Sequence, residues 1–85
     1  MSSLAHTMRA RLAAYLAGTA TLKSVYDWLV AETWDIEQRH DPEAEALTYE
    51  IKGPLAEHSS GFISEDELRR LLRPLVAAVP VPASS

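Results

Sequence analysis

Ser59-Ser60-Gly61-Phe62-Ile63-Ser64-Glu65-Asp66-Glu67-Leu68 contains a helix stop, a tight turn and a helix start in immediate succession. Gly61 suits the left-handed position that closes a helix. Ser64 suits the N-cap of the next one, and Glu67 three residues later can complete a capping box. Ile63, just before the cap, can staple onto Leu68. Glu65, Asp66 and Glu67 offset the positive end of the helix dipole, and Arg69, Arg70 and Arg73 follow towards its negative end. Two helices joined by so short a turn pack as antiparallel neighbours.

The same stretch resembles two functional motifs and fails as both. Glycine, an aliphatic residue and glutamate in the register Gly61, Ile63, Glu67 match the back half of an EF-hand loop. That register places Ala56, His58 and Ser60 where calcium needs hard oxygen ligands, usually carboxylates, so Glu67 has no partners with which to hold the ion. Read as a helix-turn-helix, the segment would put Glu65, Asp66 and Glu67 at the start of the recognition helix, against phosphate. The chain carries 8 Lys and Arg against 12 Asp and Glu, a net charge of -4, which also argues against direct nucleic-acid binding.

Three further segments have helical periodicity. The first runs from about Ser3 to Ala17, with Leu4, Met8, Leu12, Tyr15 and Leu16 in phase and Gly18 after its end. The second opens at Thr21 as N-cap. It places Leu22, Val25, Tyr26, Leu29, Thr33 and Ile36 on one face and is expected to fade near Arg39-His40. The third starts at Asp41 as N-cap with Pro42 at the first helical position, and turns Ala44, Leu47, Thr48, Ile51 and Leu55 inward. Gly53-Pro54 should kink or break it, because proline removes a helix bond and clashes with the preceding turn. The fourth runs from Glu65 through Leu68, Leu71, Leu72, Leu75 and Val76, with Pro74 as a second irregularity. The expected fold is all-α, a compact four-helix bundle with a kinked or broken third helix. Residues 1–79 form its single domain, and residues 80–85 are a frayed Pro/Ser tail.

Chemistry-bearing constellations are scarce. Without cysteine there is neither a disulfide framework nor a zinc–thiolate site. His6, His40 and His58 fall in different segments, and no pair has the i, i+4 spacing of a helical metal site. The serines concentrate at caps and termini, and three glycines make no phosphate loop. An acidic four-helix domain of this size invites comparison with acyl carrier proteins. Thr21-Leu22-Lys23-Ser24 does not supply the Asp-Ser-Leu at the second helix that takes the prosthetic arm. No catalytic residue, cofactor site or metal site is expected, and the chain reads as a non-enzyme. No apolar run approaches the ~20 residues of a membrane span. No signal-peptide pattern opens the chain, so the expected compartment is the cytoplasm.

Charge and aromatic placement are more informative. Between Asp27 and Glu50 acids outnumber bases heavily, with Arg39 the sole arginine. Glu43, Glu50 and Glu57 repeat every seven residues and so share a flank of the third helix. Trp28 and Trp34 lie to opposite sides of the core stripe of the second, so at least one is a lid or an exposed anchor. These five residues are the candidate partner-binding set, and they favour a basic protein partner.

Leu16-Ala17-Gly18, Val25-Tyr26-Asp27-Trp28-Leu29, Thr33-Trp34-Asp35, Tyr49-Glu50-Ile51, Leu55 to Gly61 and Asp66-Glu67-Leu68 together resemble a family of small uncharacterised bacterial all-helical proteins, often actinobacterial. The resemblance spans nearly the whole chain, implies an all-helical fold, and brings no assigned activity or site residues. The leading functional expectation is a helical protein–protein interaction module, such as a small regulator or an antitoxin-like or immunity-like inhibitor. The alternatives are a self-associating structural protein (a homodimer through the tryptophans) and a small-ligand or enzyme accessory domain with a pocket near Gly53-Pro54.

Overall fold

The structure is a computed structural model and describes residues 2–77. The expected tail at 80–85 and the domain's end at 79 lie outside the described residues. The fold is an all-α four-helix bundle: α1 Ser3–Leu16, α2 Leu22–Thr33, a 3₁₀ turn at Ile36–Gln38, α3 Pro42–Ser59 and α4 Glu65–Ala77. Helix α1 touches each of the other three, α3 and α4 pack on one another, and the 3₁₀ turn rests on α3. Met8, Leu12 and Tyr15 of α1 meet Val25 and Leu29 of α2, Leu47, Ile51 and Leu55 of α3, and Leu68 and Leu72 of α4 in one core.

The element boundaries follow from local chemistry. The side-chain oxygens of Ser2, Thr21, Asp41 and Ser64 accept from the N–H groups of Ala5, Ser24, Ala44 and Glu67, capping the four helices at 3.0–3.2 Å. Helix α3 ends in a Schellman motif: Phe62 N–H donates to the Glu57 carbonyl and Gly61 N–H to that of His58, with Gly61 at φ 83°. Gly18 closes α1 in the same way. Ala56 and His58 therefore belong to the last turns of α3 and not to an ion-binding loop. At Ser64 the box is half made, since the Glu67 carboxylate pairs with Arg70 at 3.1 Å.

One of the two expected outcomes at Gly53-Pro54 is excluded, and α2 ends earlier than expected. Helix α3 is not split at Gly53-Pro54; it runs on to Ser59. Gly53 has no Cβ to clash with the proline ring. The carbonyl that Pro54 leaves unpaired belongs to Glu50, an exposed residue, where water can reach it. Helix α2 stops at Thr33, well before Arg39. The Thr33 hydroxyl bonds the Leu29 carbonyl at 2.7 Å, and the chain tightens into the 3₁₀ turn that carries Ile36 into the core. Thr33 and Ile36 are three residues apart, a spacing that fits either helix type.

Candidate interaction surface

The two tryptophans have different environments. Trp28 is half-buried against the core, and the Arg11 guanidinium lies 5.2 Å from its ring centroid. It is a lid joining α2 to α1, and of the two candidate anchors Trp34 is the more exposed. Trp34, the residue that ends α2, is 77% exposed. Tyr26 and Val30, eight and four residues earlier on the same side of α2, are each 49% exposed. The three form an apolar stripe along the outside of the helix.

A further exposed aromatic is tied to the 3₁₀ turn that follows α2. Glu37, three residues beyond Trp34, accepts a 2.8 Å hydrogen bond from the Tyr49 hydroxyl of α3. That bond raises the Tyr49 pKa, with partial burial and the negative field of Glu37 and Glu45 adding to it. Tyr49 is still half exposed. Glu50, the next residue, is exposed, as is Glu57 two turns further on. Among the described residues neither carboxylate enters an ion pair.

Glu43, the third of these candidate acids, is held in an ion pair. Its carboxylate pairs with Arg9 of α1 at 3.1 Å and accepts the Ser2 N–H at 3.0 Å. The Ser2 hydroxyl donates to Asp41 at 2.6 Å, and the Arg9 Nε donates to the Leu75 carbonyl of α4 at 3.3 Å. The start of α1, the start of α3 and the end of α4 are thus held in one polar network. The Arg9 bond, followed by the Ser2 N–H, holds the Glu43 carboxyl below its ordinary pKa. The Ser2 hydroxyl and the Ala44 N–H do the same for Asp41. The seven-residue repeat placed Glu43 with Glu50 and Glu57, but α1 reaches that end of the flank and leaves the other two to solvent.

A second network joins α1 to α4. Tyr15 is buried and donates to Glu65 at 2.7 Å, while Arg69 stacks 4.7 Å from its ring centroid. Burial and the Glu65 bond push the Tyr15 pKa up to about 12. No group of three or more acidic or histidine side chains among the described residues is placed to hold a metal ion. No described helix is long and apolar enough to cross a membrane.

Fold and surface together define a small helical bundle with an exposed aromatic stripe on α2 and two exposed carboxylates, Glu50 and Glu57, on α3. No protein-family model matches the chain, and no curated protein or solved structure matches it.

Proposed function

We propose that this chain is a non-enzymatic protein–protein interaction module of the regulator or inhibitor kind, whose partner is basic. The carrying observation is Trp34, 77% exposed at the end of α2. A large aromatic side chain left in water without an internal packing role is a common interface anchor. The exposed Glu37–Tyr49 pair and Glu50 and Glu57, unpaired among the described residues, support a basic partner through complementarity and long-range steering. Trp34 and Tyr49 would bury apolar area, while Glu50 and Glu57 would bring a positive surface into register. The resemblance to small actinobacterial proteins is compatible with this reading and assigns no activity of its own.

The test is affinity capture on the full chain from its native host, followed by kinetics with the protein captured. Trp34→Ala should raise the off-rate roughly thirtyfold, the loss of an anchor worth about 2 kcal/mol. A variant that binds like the wild type removes Trp34 from the contact. The same stripe of Tyr26, Val30 and Trp34 favours self-association as the second reading. Sedimentation of the chain alone distinguishes it, since a dimer abolished by Trp34→Ala would make the partner a second copy.

A further inference from the structure

A groove opens on the surface between α2 and α3. One part, of about 390 Å³, lies between Tyr26, Leu29 and Val30 of α2 and Lys52, Leu55 and Ala56 of α3. A second, of about 310 Å³, continues it past Tyr26 and Leu55 to Leu22, Lys23 and His58. Leu29 and Leu55 are core residues that form its floor. The two walls, Leu22 to Val30 and Lys52 to Ser60, are each about 12 Å long at ~1.5 Å per residue.

The chemistry of this groove opposes that of the rest of the molecule. The chain has a net charge of -4, yet no carboxylate lines either part. Apart from the Tyr26 phenol, the ionisable side chains that line it are Lys23, Lys52 and His58. Lys23 is matched by Asp27 at 2.7 Å. Lys52 forms no ion pair among the described residues. An apolar trough with an unmatched ammonium on its wall suits an occupant with an apolar body and one negative charge.

We propose that the α2/α3 groove binds a medium-chain aliphatic carboxylate, with the chain over Leu29 and Leu55 and the carboxylate at Lys52. The size argues for a small molecule over a protein. The volumes fall in the range of small-ligand pockets, roughly 300–1,000 Å³. A stable protein contact needs about 800 Å² from each partner, more than a trough two helical turns long provides. A trough of about 12 Å accommodates an extended chain of roughly eight to ten carbons. Tyr26 and Val30 of this groove also belong to the stripe that ends at Trp34, but the groove floor and Lys52 take no part in the proposed basic-partner contact.

The probe is decanoate, titrated below its micellar concentration into the full chain and followed by amide chemical shifts, with decanol as the uncharged control. Saturable one-to-one binding is expected, with shifts confined to 22–30 and 52–60. Lys52→Met should weaken decanoate by roughly threefold to fivefold, as for a solvent-accessible charge pair, and leave decanol unchanged. Ala56→Trp, which fills the groove from an exposed position, should abolish both. Equal affinity of decanoate for wild type and Lys52→Met would overturn the proposal. Shifts spread over the whole bundle, or binding retained in Ala56→Trp, would do so too. Groove shifts that depend on protein concentration alone would assign the trough to a second copy and also refute it.

Discussion

Replacing each tryptophan by alanine separates a structural ring from a surface one. A fully buried Trp→Ala change costs ~3–5 kcal/mol. Trp28 is only half-buried, but it also carries the Arg11 stack. Its loss should therefore cost about 2 kcal/mol, including ~0.5 from the cation–π contact. In a domain of 85 residues each kcal/mol moves the midpoint by about 4–8 °C, so Trp28→Ala should lower Tm by about 8–16 °C. Trp34 leaves little behind when removed, and Trp34→Ala should stay within about 0.5 kcal/mol of the wild type. Thermal melts followed by far-UV circular dichroism read both. Equal destabilisation by the two variants, or a larger loss at Trp34, would show that the ring assigned to the surface belongs to the core.

Other consequences are equally open to measurement. Asp41 and Glu43 have depressed pKa values in the folded state, so the stability they add is present above the ordinary carboxylate range and is lost as pH falls through it. Melts from pH 7 to pH 3 should show that loss, and Asp41→Asn with Glu43→Gln should flatten it; an unchanged profile would mean the network adds nothing. Tyr15 behaves in the opposite sense: its folded pKa of about 12 exceeds the unfolded value near 10. Its contribution is complete below pH ~10 and declines as pH rises towards 12, and Tyr15→Phe should remove that alkaline loss. Ser64→Ala should destabilise by about 0.5–1 kcal/mol in denaturant, because one arm of the box is made there. Gly61→Ala should cost about 1 kcal/mol, since alanine is strained at φ 83°.

What the sequence revealed was mostly local. Thr21, Asp41 and Ser64 cap their helices because an N-cap depends on a side chain and a backbone N–H three residues away. Helical spacing likewise predicts the buried face of α3, Met8, Leu12 and Tyr15 of α1, and Leu68 and Leu72 of α4, whereas Leu71, expected on the same stripe, is exposed. Long-range features were less legible. Nothing in the local pattern around Glu43 indicates that Arg9 and Ser2 reach it, because only the docking of α1 on α3 brings them together. Tyr26 shares its spacing with Val25 and Leu29, yet it is half exposed, because no helix covers that side of α2. A pocket near Gly53-Pro54 was expected from a broken helix. A groove does lie beside Lys52, Leu55 and Ala56, but it arises from the gap between α2 and an unbroken α3.

In the proposed function the exposed carboxylates Glu50 and Glu57 steer and receive a basic protein. The most direct measurement is the association rate of the captured partner with the wild type and with the Glu50→Lys, Glu57→Lys double variant, across a range of ionic strength. Both residues are exposed, so the variant should melt with the wild type. The wild-type rate should fall as salt rises, and the double variant should associate about tenfold more slowly at low salt with a much weaker salt dependence. Equal rates and equal salt dependence in the two proteins would contradict it and leave the acidic flank a solvated surface.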